Sequence, residues 1–148
     1  MIKIYLDACC LNRPFDDQSQ PRVRLEAEAV ALILEKLSQN KWRWVGSEIL
    51  LYEIRQNPNL ENKQRILGFT SFINQNIEVN EKLLARADEL EDIGFDSYDA
   101  LHLASAEIGK TDVFLTTDDK ILKIASRRKV SFSFAIDNPV KWLEEVLR

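Results

Sequence analysis

Two periods of apolar residues alternate along the chain, and together they predict helices that separate short strands. Val23, Ala27 and Val30 recur at helical spacing and predict a helix from Arg22 to Leu37. Apolar spacing, caps and prolines predict further helices: from Ser47, as N-cap, to a stop at Pro58; from about Leu60 to Ile73; one that ends near Gly94; from Asp96 through Ile108, with Gly109 as C-cap; from Asp118 to about Arg128; and one that begins at Pro139. Short β-rich runs predict five strands: Ile2–Leu6, Trp42–Val45, Ile77–Val79, Val113–Thr117 and Val130–Ile136, with Asn12-Arg13-Pro14 as the loop after the first.

This order of elements predicts an α/β fold. Strands that are separated by helices indicate βαβ crossovers, which build a parallel sheet with helices on both faces. No repeat, linker or change of composition interrupts the pattern, so we predict a single domain over residues 1–148. Ligands of such sheets bind beyond the carboxyl ends of the strands, where the strand order reverses. Candidate chemistry is therefore expected at the strand ends.

Composition excludes several other classes of protein. Apolar residues make up 45% of the chain and charged residues 30%, and only four Gly and four Pro are present, which excludes a collagenous or disordered chain. No stretch reaches the ~20 apolar residues of a membrane span. Asp7 comes too early for a signal peptide, and the adjacent Cys9 and Cys10 are poorly placed to bridge each other. We therefore expect a cytoplasmic protein without a membrane partner.

The charge is acidic on average but unevenly distributed. The net charge is −4, which is opposite to that of a protein that holds duplex DNA along its backbone. Acids dominate from Glu78 to Asp99, whereas the segment from Lys120 to Lys129 contains bases and no acid. A polyanionic partner therefore remains compatible with the sequence, provided that something positive lies among the acids.

Two aspartates directly follow predicted strands. Asp7 comes after the first strand and Asp118 after the strand Val113–Thr117, so both belong to the carboxyl edge of the sheet. An aspartate in such a place also suits a purely structural role as the cap of a helix or turn.

Two further acids lie where the helical pattern favours apolar residues. Glu53 falls inside the arc of Ile49, Leu50 and Ile54, at ~100° per residue. Its structural interpretation is a glutamate at the rim of the core that reaches solvent. Asp99 borders the apolar face of its helix, and Asp96 lies one turn earlier; the structural interpretation is Asp96 as N-cap with Asp99 in the first turn.

Together these acids favour a site for a hard cation. Unpaired carboxylates in a partly buried cleft repel each other and lose several kcal/mol of hydration each, unless they take up protons or bind a cation. Oxygen ligands suit Mg²⁺ or Mn²⁺, and zinc is disfavoured because His102 is the only histidine. A cation of this kind lowers the pKa of a bound water and neutralises a phosphoryl oxygen, which reconciles acidic residues with a nucleic-acid substrate.

The four acids and their surroundings resemble the PIN-domain family of metal-dependent ribonucleases. The resemblance lies in the order and spacing of four segments: Ile4-Tyr5-Leu6-Asp7, Ser47-Glu48-Ile49-Leu50-Leu51-Tyr52-Glu53, Tyr98-Asp99-Ala100-Leu101-His102-Leu103-Ala104 and Phe114-Leu115-Thr116-Thr117-Asp118. It implies one three-layer α/β/α domain with a five-stranded parallel sheet in the order 3-2-1-4-5. It also implies a pocket with one or two Mg²⁺ or Mn²⁺ ions that hydrolyses RNA phosphodiesters and leaves a 5′-phosphate. Many small members resemble VapC-type toxins, so an antitoxin partner and a homodimer are expected.

The resemblance assigns roles to individual residues. Asp7, Asp99 and Asp118 are expected metal ligands, Asp96 a further one, and Glu53 the residue that orders a water or completes a second site. Thr116 and Thr117 are expected to support these ligands through hydrogen bonds. The residues expected to contact the RNA backbone are Asn12, Arg13, Lys120 and Lys123. The alternative for the basic residues is a solvated surface.

One departure from the family keeps a second hypothesis open. The family usually has Ser or Thr just after the first acid, whereas Ala8, Cys9 and Cys10 follow here, and a thiol is only a weak donor. The alternative function is therefore a catalytically inactive PIN-like module that binds RNA or protein. A phospho-accepting aspartate protein is disfavoured because Cys9 stands where a dehalogenase-type phosphatase has a second aspartate.

Three other signals are interpreted as structural. His102 has no nucleophile or orienting acid at a recognisable spacing, so we expect a half-buried helical histidine. Trp42 and Trp44 alternate in a strand and are expected to pack rather than to stack on bases. The Gly109-Lys110-Thr111 segment lacks the earlier glycine of a phosphate-binding loop and precedes a strand, so it is expected to end a helix.

Overall fold

The computed structural model describes residues 1–128 and 132–148. In these residues the elements follow each other in the order β1 (Lys3–Leu6), α1 (Ala8–Asn12), α2 (Pro21–Ser38), β2 (Arg43–Ser47), α3 (Glu48–Arg55), α4 (Leu60–Phe69), β3 (Gln75–Ile77), α5 (Glu81–Ile93), α6 (Ser97–Ile108), β4 (Val113–Leu115), α7 (Asp119–Arg127), β5 (Ala135–Asp137) and α8 (Pro139–Val146). Short 3₁₀ turns follow α1 and α4, at Arg13–Phe15 and Thr70–Phe72. The predicted alternation of strands and helices is confirmed.

The strands form one parallel sheet in the order β3-β2-β1-β4-β5. The central strand β1 pairs on both sides, because Ile4 is in register with Trp44 of β2 and with Val113 of β4. The chain builds outward from β1 to β3, then returns to the other side of β1 for β4 and β5. The strand order therefore reverses between β1 and β4, and the crevice beyond their carboxyl ends is where such sheets bind ligands.

The sheet buries side chains on both faces, which produces three layers. Successive side chains of a strand point to opposite faces. Ile4 and Leu6 belong to a core that includes residues of α2 and α8, such as Ile33 and Trp142. Tyr5, between them, belongs to a second core with residues of α5 and α6. This arrangement matches the α/β/α architecture that the resemblance implies.

Several predicted boundaries differ from the structure. The expected loop after the first strand is helical, because Asp7 caps α1 by accepting a hydrogen bond from the Cys10 amide at 3.1 Å. The helix expected to reach Ile73 ends at Phe69, where the Thr70 hydroxyl donates to the Leu67 carbonyl at 2.6 Å and a 3₁₀ turn takes over. β3 has the expected length but lies two residues earlier, at Gln75–Ile77. β4 and β5 are shorter than expected and cover Val113–Leu115 and Ala135–Asp137. Val130 and Ser131 of the last predicted strand lie outside the described residues.

Gly109 ends α6 as predicted, but for a different reason. Its φ is −73°, and the left-handed residue is the next one, Lys110, with a φ of 54°. A Cβ on Gly109 would lie 2.5 Å from Cγ1 of Val45 in β2. The glycine therefore permits the end of α6 to lie closely against the sheet.

The longest helix of the described residues has a buried apolar face and charged residues on its exposed side. The longest, α2, buries Val30 and Ile33 but exposes Arg24 and Glu28. Within residues 1–128 and 132–148, no helix combines the length and the apolar character that crossing a bilayer requires.

Candidate active site

The four candidate acids lie around one small cavity at the carboxyl edge of the sheet. Its lining consists of Asp7, Ala8, Cys9, Glu53, Asp99, His102 and Asp118. The cavity has a volume of about 40 Å³, whereas one water needs ~10–15 Å³ of such space. Residues from four separate segments of the chain thus surround a space that is large enough for a small cation and water.

Asp7 combines a structural role with a place in the cavity. It follows β1, and its Oδ1 accepts hydrogen bonds from the Cys10 amide at 3.1 Å and from the Cys9 thiol at 2.8 Å. The side chain is buried, and this burial, with Cys9 as a further cause, raises the pKa of Asp7 well above its usual value. Asp7 therefore holds a proton more tightly than an ordinary aspartate while no cation neutralises it.

Asp118 is held by the turn between β4 and α7. Its backbone amide donates to the Thr116 hydroxyl at 3.0 Å, and its Oδ1 accepts from the Lys120 amide at 2.9 Å, as the N-cap of α7. The carboxylate therefore caps a helix, as its structural interpretation predicts, and it also lines the cavity. Thr117 is buried beside it, and its carbonyl accepts from Arg22 at 3.4 Å.

Asp99 and Asp96 lie in the first turn of α6, but only Asp99 reaches the cavity. Asp96 is exposed and is the N-cap of α6, where its Oδ1 accepts from the Asp99 amide at 3.0 Å. Asp99 is partly buried; burial, followed by the charges of Asp96 and Asp118, raises its pKa to about 8. Asp96 thus acts on the site through its charge, although it is not among the residues that line the cavity.

Cys9 occupies the place where the family usually has a hydroxyl. Its thiol lies 2.8 Å from Oδ1 of Asp7 and 3.5 Å from the Thr116 hydroxyl. The thiol therefore bridges the first acid and the turn that carries Asp118, as a weak donor.

A chain of buried polar side chains leads from the cavity into the core. Oε2 of Glu53 lies 2.8 Å from Nε2 of His102, and Nδ1 of His102 lies 2.7 Å from the Tyr5 hydroxyl. The Tyr5 hydroxyl is in turn 2.7 Å from the Ser47 hydroxyl. Glu53 therefore lines the cavity while its Oε2 is hydrogen-bonded to His102, on the side of the core.

This arrangement corrects the interpretation of His102. The imidazole is only 2% exposed, so it is buried rather than half-buried, and its orienting acid is Glu53, 49 residues away. Spacing along the chain could not reveal a partner on another helix. The available signal was that Tyr5, Ser47 and His102 are polar residues in apolar surroundings, since buried polar groups need hydrogen-bond partners.

The donor chemistry of the cavity fits a hard divalent cation. Asp7, Asp99 and Asp118 offer carboxylate oxygens, and none of the salt bridges within the described residues involves them. No three His, Cys, Asp or Glu side chains in this part of the chain form a ready coordination cage. Mg²⁺ needs no such cage, because it keeps several waters and binds through one or two carboxylates.

The residues expected to contact RNA differ in their exposure and in whether an acid already binds them. Lys120 and Lys123 are exposed on α7, which begins at the cavity, and Asn12 is partly buried at the end of α1. The Arg13 guanidinium, in contrast, is bound to Glu26 at 2.8 Å and to Asp16 at 3.1 Å. Its ion pairs give Arg13 a structural role that the sequence did not reveal.

Sequence reasoning also missed Glu26, which is 1% exposed within α2. Its carboxylate accepts hydrogen bonds from Arg13 at 2.8 Å, Arg22 at 3.2 Å and the Asn138 side chain at 2.6 Å. The Arg22 guanidinium also donates two hydrogen bonds of 2.8 Å to the Asp119 carboxylate. The available signal was the position of Glu26 between Val23 and Val30 on the apolar face of the helix.

The tryptophans pack in the core, as expected. Trp44 is completely buried, and Trp42 packs edge-on against Trp142 with ring centroids 5.0 Å apart. Neither ring presents a face for stacking on a base.

Comparisons with known proteins agree with this architecture. The family model described as PIN domain matches residues 4–127. The chain is similar to VapBC2 from Rickettsia felis bound to a DNA fragment from their promoter, with 19% identity, a TM-score of 0.57 and coverage of 93% of this chain and 98% of that one. It is also similar to DNA-bound VapBC from Salmonella typhimurium, with 16% identity, a TM-score of 0.53 and coverage of 94% and 99%. No curated protein matches the sequence.

Proposed function

Because this chain belongs to the PIN domain family, we propose that it is a metal-dependent ribonuclease that hydrolyses RNA phosphodiester bonds at the acidic cavity. The observation that carries the proposal is the convergence of Asp7, Glu53, Asp99 and Asp118 on one cavity of about 40 Å³. Burial raises the pKa of Asp7 and of Asp99, so both carboxylates gain from a neutralising cation. This gain supports the proposal that a divalent cation binds in the cavity.

In this proposal Asp7, Asp99 and Asp118 hold Mg²⁺ or Mn²⁺, as one ion or two. Asp96, which was expected as a further ligand, does not line the cavity and contributes its negative charge from outside it. When bound, the cation supplies a water of lowered pKa and neutralises charge on a phosphoryl oxygen. The same neutralisation allows an RNA phosphate to approach carboxylates that otherwise repel it.

The other residues orient the reacting groups. Glu53 orders the attacking water and accepts its proton, since its carboxylate faces the cavity. Thr116 and Cys9 keep Asp7 and Asp118 in place through the contacts described above, and Thr117 supports the same turn. Attack of the water oxygen on phosphorus with cleavage of the P–O3′ bond would leave a 5′-phosphate on one product, while the departing 3′-oxygen takes a proton from solvent and becomes a hydroxyl on the other.

Exposed basic residues near the cavity serve to hold the RNA backbone. Lys120 and Lys123 lie on α7, whose first turn starts at Asp118, so their ammonium groups are available to phosphates next to the scissile bond. Asn12 lies at the end of α1, which begins after Asp7, and offers a side-chain amide as a further group for the RNA backbone. Arg13 contributes less in this proposal, because Glu26 and Asp16 already bind its guanidinium.

We also propose that the protein is the toxin of a toxin–antitoxin pair and forms a homodimer. The support for the antitoxin partner is the likeness of nearly the whole chain to proteins described as VapBC2 and VapBC. The homodimer is an expectation from the family resemblance, which size-exclusion chromatography with light scattering tests. Co-expression with the product of a small neighbouring gene tests this partner. A stable complex in which RNA cleavage is suppressed supports the pair; independent migration of the two proteins contradicts it.

Cleavage of single-stranded RNA in the presence of Mg²⁺ tests the enzymatic proposal. Asp118→Asn is expected to abolish cleavage, because it removes one charge from the cavity. Asp119→Asn is the matched control, since Asp119 is the next residue, is exposed and is paired with Arg22 outside the cavity. The control should cleave at nearly the wild-type rate.

The result of that experiment also separates the alternative function. RNA binding without cleavage, at any concentration of Mg²⁺ or Mn²⁺, favours the inactive PIN-like module that the Cys9 substitution keeps open. Equal cleavage by Asp118→Asn and the wild type excludes the acidic cavity as the active site.

A further inference from the structure

The polar chain behind Glu53 has a defined direction of hydrogen bonding. The Leu50 amide donates to the Ser47 hydroxyl oxygen at 3.0 Å, which fixes one end. The Ser47 hydroxyl then donates to Tyr5, Tyr5 donates to Nδ1 of His102, and Nε2–H of His102 donates to Glu53, over distances of 2.7, 2.7 and 2.8 Å. In this arrangement each of the two hydroxyls and each ring nitrogen of His102 has a partner.

The opposite direction leaves groups without partners. If Nδ1 of His102 carried the proton, Tyr5 would have to donate to Ser47, and the Ser47 proton would face no acceptor within the described residues. In the neutral ring, Nε2 would also turn a lone pair towards the Glu53 carboxylate. The tautomer is therefore assigned from the hydrogen-bond network.

We infer that His102 and Tyr5 are positioning residues for Glu53, with His102 locked as the Nε2–H tautomer by the Tyr5 hydroxyl. The inference rests on the proposed function, because it assigns Glu53 a role at the reacting phosphate. His102 touches no substrate in this scheme; it acts through the carboxylate that it holds.

The surroundings of the chain make it rigid. Tyr5 lies in the central strand, is completely buried and stacks on Phe114 of β4, with ring centroids 5.3 Å apart and an angle of 9° between the planes. The sheet thus fixes Tyr5, Tyr5 fixes the imidazole, and the imidazole fixes a glutamate on a different helix.

The consequence for Glu53 is a restricted carboxylate. Its side chain is 33% exposed, so without a partner it would sample several rotamers in solvent. Binding of Oε2 by His102 selects one of them and leaves Oε1 for the cavity. Loss of such outer hydrogen bonds typically lowers activity or metal affinity by about 10- to 100-fold.

The imidazole signals in an NMR spectrum test the tautomer directly. The chain contains one histidine, so its ring nitrogens are assigned without ambiguity. We expect a protonated Nε2 and an unprotonated Nδ1 in the wild type at neutral pH, and a mixture of tautomers in Tyr5→Phe. Thr111→Val is the matched control, because its hydroxyl is buried but has no hydrogen-bond partner in the described part of the chain; its spectrum should equal that of the wild type. A protonated Nδ1 in the wild type overturns the inference.

RNA cleavage tests whether His102 acts through Glu53. His102→Leu is expected to lower kcat by about 10- to 100-fold with little change in KM. His102→Gln should restore most of the activity, because an amide can both donate to Glu53 and accept from Tyr5. In a Glu53→Gln background, His102→Leu should have no further effect. Independent, multiplicative losses overturn the inference, as does wild-type kcat in both Tyr5→Phe and His102→Leu.

The two experiments can contradict the proposed function and the positioning role independently of each other. If the wild type cleaves no RNA, the proposed function fails, and the kinetic role of His102 fails with it, whereas the tautomer is still measured by NMR. If the wild type cleaves RNA and the variants match it, only the positioning role fails. Thermal unfolding of each variant identifies a loss of activity that merely reflects a loss of folded protein.

Discussion

Two groups of buried or partly buried acids in this protein have opposite surroundings. Glu26 is 1% exposed but receives hydrogen bonds from Arg13, Arg22 and Asn138. Asp7 and Asp99 are also withdrawn from solvent, yet no salt bridge of the described residues reaches either of them. The same kind of side chain is thus neutralised by the protein in one region and left unneutralised in the other.

Asp99 and the exposed Asp119, which shares Arg22 with Glu26, have pKa shifts in opposite directions. The Arg22 guanidinium lowers the pKa of Asp119, next to the Glu26 cluster. Burial and neighbouring carboxylates raise the pKa of Asp99 to about 8. A buried acid with a basic partner stabilises the fold, whereas buried acids without one are stabilised by whatever cation binds them. Loss of charge should therefore have opposite effects on folding in the two regions.

Asp99→Asn should have the largest effect on activity and little unfavourable effect on folding. Removal of a cation ligand is expected to lower the cleavage rate by about 10³-fold, or ~4 kcal/mol in the barrier. The free energy of unfolding without metal should stay equal or rise, because a repelling charge is lost. Single-turnover cleavage and denaturant unfolding measure the two quantities. Strong destabilisation of this variant would contradict the comparison.

Glu26→Gln should show the reverse pattern. Removing the acid leaves Arg13 partly buried without its main partner, and breaking such a pair lowers the free energy of unfolding by roughly 3 kcal/mol. The folded fraction should cleave RNA at nearly the wild-type rate. Glu28→Gln, on the exposed side of the same helix, is the control and should leave stability within about 0.5 kcal/mol of wild type. Equal stability of the two variants would remove the contrast between the regions.

The pH dependence of stability gives the smallest effect. The folded pKa of Asp99, about 8, is above its unfolded value of 3.8, so its contribution is fully present below pH 3.8 and is lost as pH rises through 8. Relative to Asp99→Asn, the metal-free wild type should therefore lose stability between pH 4 and 8, by at least ~1.4 kcal/mol, the value of one pKa unit. Thermal unfolding across this range measures the difference. Saturating Mg²⁺ should reverse the loss in the wild type only; parallel curves for both proteins would contradict the assignment of Asp99.

The fold and the four acids could be predicted because their signals are local or carried by the family resemblance. Asp7 and Asp118 follow apolar runs that can only be strands, and the parallel sheet then brings strand ends together. Glu53 and Asp99 were visible as acids within or beside apolar helix faces. The structure places all four at the cavity, while their roles as ligands and base remain predictions.

The rest depends on contacts between distant segments. The partners in the polar chain behind Glu53 are 42, 97 and 49 residues apart, and no periodic pattern encodes such pairs. Glu26 likewise depends on Asn138, 112 residues away. A short strand such as β3 ends where its hydrogen bonds to the neighbouring strand end. Its observed boundaries therefore differ by a few residues from those that the sequence predicts.

The order of strands also determines when the site can exist during synthesis. The central strand β1 is translated first, but its neighbour β4, followed by Asp118, arrives only after β2 and β3. At about 5–20 residues per second, this interval lasts several seconds. Throughout that time the nascent polypeptide carries Asp7 without Asp118 beside it. Most of the chain is therefore synthesised before a complete acidic centre can form close to the RNA of the ribosome.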